Sequence, residues 1–400
     1  MSLPLVSVAT VRDYDPAAVL EGLRRALEPL GGMAAFVRPG QRVLLKPNLL
    51  GAFSPDEAVT THPSVVRAAA ILVQEAGGTV SLGDSPGTGE LSAALRRTRI
   101  GAVAEELGVA IADFRASAEI ERPENVVGRR LALARAVSEA EVLITLPKLK
   151  THAQMGFTCA LKNQFGLIVG TEKSLWHYRL QDRDWLAALM IDINQLARPA
   201  LAIVDAVVGM EGAGPSGGSP RAIGALVAGA DLTAVDAVCC DLVGIDPGSL
   251  PLMRAARRVG YGVGDLARIE LHGTPLAELR VPDYQPPPRT HSVLDILPLP
   301  KRLAVGVRRI LTARPEIDPA LCVHCNACKN GCPVRPPAID PERGNGGVDQ
   351  GTCIRCYCCH EFCPVKAIHL RRSRLDRWFR LNALAEWLAQ TAERWRSRRT

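Results

Sequence analysis

An α/β domain with a mainly parallel sheet and flanking helices, followed by a small cysteine-built α+β domain, is the fold class this sequence predicts. Three observations carry the prediction. Over roughly the first 275 residues, apolar runs of strand length alternate with helix-length runs, the pattern of a sheet covered by helices. Aromatics are only 4% of the 400 residues while Ala, Val and Leu abound, which suits helices packed on a doubly buried parallel sheet. Between Cys322 and Cys363, eight cysteines fall in a repeated spacing.

In chain order, Ala17 to Leu30 reads as a helix and Arg42 to Lys46 as a short apolar strand. Thr60-Thr61-His62-Pro63 opens a helix from Ser64 to Ala76, with proline where a first turn tolerates it. Gly77-Gly78 ends that helix, and Thr79 to Leu82 is the next strand. Helix Leu91 to Leu107 and strand Val109 to Asp113 follow. A second set comprises strand Glu141 to Leu146, helix Trp185 to Ala197, strands Leu201 to Asp205 and Ala225 to Ala228, and helix Leu232 to Val243. From Val281 to Pro300 six prolines break the pattern, as expected of an extended connector. Leu303 to Leu311 reads as a short basic helix. The resulting division is residues 1–280, 281–314, 315–371 and 372–400.

The cysteines read twice as CxxCxxCxxxCP, through Cys322, Cys325, Cys328, Cys332 and again through Cys353, Cys356, Cys359, Cys363. This is the two-cluster ferredoxin run, in which the fourth cysteine of each motif ligates the other cluster. Two [4Fe-4S] clusters are expected. One takes Cys322, Cys325, Cys328 and Cys363; the other takes Cys353, Cys356, Cys359 and Cys332. Structural zinc is the alternative, since paired CxxC motifs also form four-thiolate sites, but it gives no reason for the third CxxC step or the CP endings. Cys358, beside ligand Cys359, reads as a packed thiol, with an exchange of roles between the two left open.

Formal net charge is +7, and residues 371–400 hold nine arginines against three acids. Basicity is thus a property of the tail, and no nucleic-acid partner is expected of the main domain. The segment Ser373 to Arg396 reads as an amphipathic helix that packs on the protein or a second subunit, rests on anionic lipid through its arginines and tryptophans, or stays unfolded. Thiol ligands together with unpaired Cys159, Cys239 and Cys240 suit a reducing compartment. With no signal-peptide pattern at Met1 and no membrane-length apolar run, the expected location is cytoplasmic, with peripheral membrane contact through the tail. Oligomeric state is not legible.

Polar residues gather where the strand patterns stop: Lys46-Pro47-Asn48, Gly83-Asp84-Ser85-Pro86-Gly87, Lys148 to His152, Lys162-Asn163, and Asp205 before the glycine-rich run Gly209 to Gly218. Such positions suit an anionic carboxylate or phosphate; solvated loops carry the same residue types. His152 is the leading proton-transfer candidate by its ordinary pKa, and a structural role fits it equally. His62 reads as a helix-start residue, His177 with Trp176 as a lid lining, and Cys159 as a nucleophile or a small buried hydrophobe. Gly212 to Gly217 matches GxGxxG, but the Rossmann loop must open a helix, and here Pro215, Gly218 and Pro220 lead toward a strand. No GxxxxGK[ST] run is present. Nicotinamide binding by this loop and a P-loop ATPase are therefore not expected.

Leu45-Lys46-Pro47-Asn48, Thr61-His62-Pro63, Gly83 to Gly87, Leu146 to His152, Ala160-Leu161-Lys162-Asn163 and the Cys353 to Cys363 run together resemble the iron-sulfur members of the domain-of-unknown-function 362 family, over nearly the whole chain to about His369. The resemblance implies an α/β domain fused to a two-cluster ferredoxin and leaves the reaction open. The expectation drawn from the fusion is a redox enzyme whose clusters take electrons from a donor protein, or give them to an acceptor, and relay them to a substrate or bound organic cofactor. Lys46, Asn48, Ser85, Lys148, Lys162 and Asn163 would hold an anionic group, and His152, Asp84 and Lys150 would serve the chemistry. The alternative is a non-catalytic electron carrier or adaptor that docks through its basic tail.

Overall fold

Period-two alternation decides which residues of each central strand face which helices. In the computed structural model, which describes residues 3–87, 89–170, 172–287 and 312–371, the strands of the large unit are β1 (Leu5–Thr10), β2 (Arg42–Pro47), β3 (Thr79–Leu82), β4 (Ala110–Ile111), β5 (Ser117–Glu121), β6 (Arg130–Ala134), β7 (Val142–Leu146), β8 (Lys148–His152), β9 (Gly156–Thr158), β10 (Leu201–Glu211), β11 (Ser219–Gly229) and β12 (Glu270–Gly273). Its helices are α1 (Pro16–Leu27), α2 (Pro63–Glu75), α3 (Leu91–Arg97), α4 (Ile100–Leu107), α5 (Arg135–Glu139), α6 (Ala160–Asn163), α7 (Glu172–Arg179), α8 (Arg183–Ala197), α9 (Leu232–Leu242) and α10 (Pro251–Val259). The main sheet runs β12-β1-β11-β10-β7-β2-β3-β4, with β8 on β10 and β9 on β8. Leu44, Leu143, Ala202 and Val204 face α6, α8, α9 and α10. Val43, Leu45, Ile144 and Ile203, one residue out of phase, face α1, α2 and α4. The result is a three-layer α/β unit.

Most pairings are parallel: β2 with β3 and β7, β3 with β4, β10 with β7 and β8, and β1 with β12. β11 is antiparallel to both β1 and β10, so the expected strand Ala225 to Ala228 is the end of a long hairpin arm. Gly212 to Gly217 is the turn of that hairpin and opens no helix, in keeping with the rejection of a dinucleotide loop.

Several elements differ from expectation for identifiable reasons. The single helix expected over Leu91 to Leu107 is two, because the Thr98 hydroxyl bonds back to Ala94 O at 2.8 Å and Arg99 turns left-handed at φ 62°. Strand Val109 to Asp113 shrinks to Ala110–Ile111, an edge strand held on one side. Lys148 to His152, read as a polar strand exit, is itself a strand buried at every position; Pro147 O accepts from Asp205 N at 2.9 Å and keeps it beside β10. The hairpin β5-β6 is antiparallel and lies outside the main sheet. The connector expected from Val281 begins later, since Val281 and Tyr284 are 8% and 7% exposed in the large unit's core.

The chain divides into Met1–Pro287 and Pro288–Thr400. In the second unit, β13 (Arg314–Ile317) pairs antiparallel with β14 (Ile368–Arg371), and α11 (Ala327–Asn330) and α12 (Cys358–Phe362) lie between them in sequence. Residues 288–311 of the expected connector, with the Leu303 to Leu311 helix, and the tail 372–400, with its Ser373 to Arg396 helix, lie outside the described residues. Among those described, no helix is long and apolar enough to cross a membrane.

Candidate functional site

The duplicated cysteine motif folds into duplicated loops. Cys322 N donates to Asp318 O and Cys353 N to Asp349 O, each at 3.0 Å. His324 and Arg355 are left-handed at φ 53° and 59°, as are Asn326 and Tyr357 at 59° and 61°, so both backbones wind the same way before α11 and α12. One cavity is lined by Cys322, Cys325, Cys328 and Cys363. A second is lined by Cys332, Cys353, Cys356 and Cys359. These are the crossed quartets expected from the spacing.

The quartets surround voids rather than points: among the described residues, no three His, Cys, Asp or Glu side chains stand close enough to hold one metal ion, as tetrahedral zinc would need. Both cavities otherwise present apolar walls, Ile317, Val323 and Ile368 in the first and Val334, Ile339 and Val348 in the second. Burial pushes the Cys328 thiol up to about 11 and raises Cys353 and Cys359 also. Thiolates there call for a cationic partner, which the iron of a cluster supplies. Cys358 lines neither cavity; its buried thiol donates to Cys356 sulfur, which lowers the Cys356 pKa.

In the α/β unit, the polar strand ends join into one hydrogen-bonded belt. Lys46 Nζ, from the end of β2, is 2.8 Å from Asp84 Oδ1 with both side chains buried. Asp84 also accepts from Leu49 N at 2.8 Å and Ser85 N at 2.9 Å. A Cβ on Gly166 would sit 2.1 Å from Asp84 Oδ1 and 2.7 Å from Lys46 Nζ, so this close approach requires glycine. Asn48 donates to Asn163 Oδ1 at 2.9 Å and accepts from Lys150 Nζ at 2.8 Å, while Lys150 also donates to Val59 O at 2.6 Å. Asn163 in turn donates to Lys46 O at 3.2 Å and Thr145 Oγ1 at 2.8 Å.

Lys148 Nζ, on β8, is 2.9 Å from Asp205 Oδ2 and 2.7 Å from Tyr14 Oη. Asp205 also accepts from Tyr14 Oη and from His62 N, both at 2.8 Å. Burial lowers the Lys46 and Lys148 pKa, while Asp84 and Asp205 oppose the shift. His62 caps α2 by accepting from Ser64 N and stacks on Tyr14 at 3.5 Å between ring centroids; burial pushes it down to about 4. The helix-start reading of His62 holds.

Other candidates are placed differently. His152 is 1% exposed, and its Nδ1 accepts from Gln154 N and Met155 N, both at 3.1 Å, which makes it the anchor of the β8–β9 turn. Asp84 commits its oxygens to three donors, which fix its carboxylate in the belt. Lys162 is half-buried on α6. Cys159 is buried, and burial, with Cys239 and Asp236 beside it, raises its pKa well above the usual thiol range, which favours the packed-hydrophobe reading. His177 is buried edge-on against Phe165 at 5.6 Å.

Lys173 escaped the sequence reading. On α7 it is 8% exposed, with Nζ against Ser85 O, 2.7 Å from Ser85 Oγ and 3.1 Å from Pro86 O. Burial pushes its pKa down to about 7; Asp84 opposes this, and Lys46 and Lys162 add to it. Between about pH 7 and the usual lysine value, the unfolded chain therefore binds the extra proton, so stability rises with pH across that window and the penalty is complete below it. The stability of the wild type relative to Lys173→Met should climb from about pH 7 to about pH 10, by an amount on the order of a few kcal/mol, in urea denaturation at stepped pH. A flat difference would place the amine in water.

Residues 43–241 match the family described as a domain of unknown function (DUF362), and residues 314–364 match the 4Fe-4S dicluster domain. Thylakoid-associated protein sll1697 of Synechocystis sp. is 38% identical over 256 residues, 64% of this chain and 79% of that protein. Among solved structures, the lactate racemase apoprotein from Thermoanaerobacterium thermosaccharolyticum is similar at a TM-score of 0.38 and 14% identity, over 59% of this chain and 57% of that one. A Thermotoga maritima protein is similar at 0.34 and 16%, over 56% and 58%. This chain spans a little over half the length of those two structures.

Proposed function

Since the chain belongs to the DUF362 family and carries a 4Fe-4S dicluster domain, which points to electron transfer, we propose that it is an iron-sulfur oxidoreductase holding two [4Fe-4S] clusters and passing single electrons to an anionic substrate or organic cofactor in the α/β domain. The observation that carries this reading is the sorting of eight thiols into two crossed quartets, each around its own cavity. The clusters supply one-electron steps. In the α/β unit, Lys46 and Lys148 are balanced by Asp84 and Asp205, and Lys150 is held by Asn48 and Val59 O, so the lysines form a fixed polar wall beside which the anion would sit. Lys162, with Asn48, Ser85 and Asn163 near the strand ends, would orient the anion.

Anaerobic reduction of the reconstituted protein tests this. Dithionite should bleach the visible cluster absorption, and re-oxidation should be faster with a bound acceptor than without. Lys162→Ala should weaken acceptor binding by about tenfold, the loss of one charge-assisted contact, with cluster spectra unchanged. Indifference of re-oxidation to every anionic acceptor tried would favour the carrier reading. The thylakoid-associated relative supports a further element, peripheral contact of the arginine-rich tail with anionic lipid. Deleting residues 373–400 should abolish sedimentation with anionic vesicles and leave cluster reduction intact.

A further inference from the structure

The hydrogen bonds of Ser85 point beyond electron transfer. Ser85 Oγ has two neighbours among the described residues: Gly170 N, which donates to it at 3.0 Å, and Lys173 Nζ at 2.7 Å. Gly170 N can only donate, and Lys173 Nζ donates to the same hydroxyl oxygen; once Lys173 gives up its proton, the lone pair of the amine becomes the one acceptor among the described residues for the Ser85 hydroxyl proton. Ser85 O and Pro86 O, the remaining partners of Nζ, can only accept, so an ammonium spends its three N–H bonds on three oxygens, whereas a neutral amine keeps two for the carbonyls and turns its lone pair to the hydroxyl. No carboxylate lies within ion-pairing distance of Nζ among the described residues, and an ammonium buried against neutral oxygens is costly. The nearest carboxylate, Asp84, is committed to Lys46, Leu49 N and Ser85 N.

We propose that Ser85 and Lys173 form a nucleophile–base dyad that accepts an acyl group from an anionic ester. The pair sits after the carboxyl end of parallel strand β3, where α/β folds place reacting side chains, and a serine activated by a lysine is a known variant of nucleophilic catalysis. Ser85 Oγ attacks the ester carbonyl carbon and its proton passes to Lys173 Nζ. As the carbon–oxygen bond to the leaving alcohol breaks, the ammonium returns that proton to the departing oxygen. Water then attacks the acyl-serine with Lys173 again as base, releasing the acid and restoring the hydroxyl. No electrons are exchanged, so the inference is independent of the clusters. Lys162 on α6, half-buried and within electrostatic reach of Lys173, favours an acyl donor bearing a carboxylate, since the charge of Lys46 is balanced by Asp84.

The full-length protein with its clusters, treated with an alkyl fluorophosphonate and mapped by peptide mass spectrometry, tests the dyad. A single adduct on Ser85 is expected, with a rate that rises with pH to a plateau through a midpoint near the Lys173 value of about 7. The charged groups facing that amine are Asp84 and Lys46 from the strand ends and Lys162 from α6; Glu172, His177 and Arg179 share its own helix. Lys173→Arg, which keeps a cation but takes no proton, should slow labelling by about 100-fold or more, while Ser85→Ala abolishes it. The mono-p-nitrophenyl ester of succinate should turn over faster than p-nitrophenyl acetate. An adduct on Lys173 or elsewhere, no adduct, or undiminished labelling of a folded Lys173→Arg protein overturns the dyad; preference for the neutral ester overturns the substrate class. Should a variant fail to fold, the adduct site in the wild type decides.

Discussion

Cys363→Ala is expected to remove one cluster, with iron and acid-labile sulfide falling to about half, and to leave the other spectroscopically intact. The physical reason is the crossing. Cys363 follows Cys359 by one turn in sequence, yet it lines the cavity of Cys322, Cys325 and Cys328, with its sulfur accepting from Ala367 N at 3.1 Å. The cluster lost with Cys363 should therefore be the one lost in Cys322→Ala, and Cys332→Ala should match Cys353→Ala instead. Electron paramagnetic resonance of the reduced variants distinguishes the pairs. Matching of Cys363→Ala with Cys353→Ala would mean uncrossed ligation. Cys358→Ala should retain full iron where Cys359→Ala loses half, because Cys358 borders neither cavity.

Asp205→Ala should cost about 3–5 kcal/mol, the usual range for stranding one member of a buried ion pair. Asp205 and Lys148 side chains are both 0% exposed, and the same carboxylate holds Tyr14 Oη and the amide of His62. Its loss leaves an ammonium, a phenol and an amide at the first turn of α2 short of an acceptor. Removing Lys148 as well eliminates the stranded charge, so Asp205→Ala with Lys148→Met should be less destabilised than the two single variants sum to, by roughly 1–3 kcal/mol. Urea denaturation followed by circular dichroism measures the cycle. A cost below about 1 kcal/mol for Asp205→Ala, the range of solvent-exposed pairs, would mean that water reaches the pair.

Features governed by local chemistry were legible in the sequence. Cysteine spacing acts over a few residues, and the two quartets line separate cavities in the grouping the repeat suggests. The start of α2 at His62-Pro63 and the non-Rossmann character of Gly212 to Gly217 follow from short-range backbone preferences in the same way. The parallel core strands β2 and β7 are visible as the short apolar runs Val43-Leu44-Leu45 and Val142-Leu143-Ile144, because strands covered on both faces are apolar at successive positions. Signals of contrast fail where polar residues are buried. The polar groups of Lys148, Lys150 and His152 give β8 the pattern of a strand exit, although all three residues are at most 1% exposed. Lys173 lies in a polar helix beside Glu172 and Arg179, where nothing in the local pattern separates a buried lysine from a solvated one. Tyr14 sits similarly among Arg12, Asp13 and Asp15.

The sequence by itself thus determined the α/β class, the duplicated cluster domain and most of the residues near the strand ends. Only the tertiary structure decided how those residues are used. Lys46 meets Asp84 and Lys148 meets Asp205 across separate strands, and Ser85 meets Lys173 from a loop and a distant helix. A buried charge must find a partner, lose its proton or bind a ligand. Which of these happens depends on what the fold brings within about 3 Å of it, and periodicity along the chain carries no record of that distance.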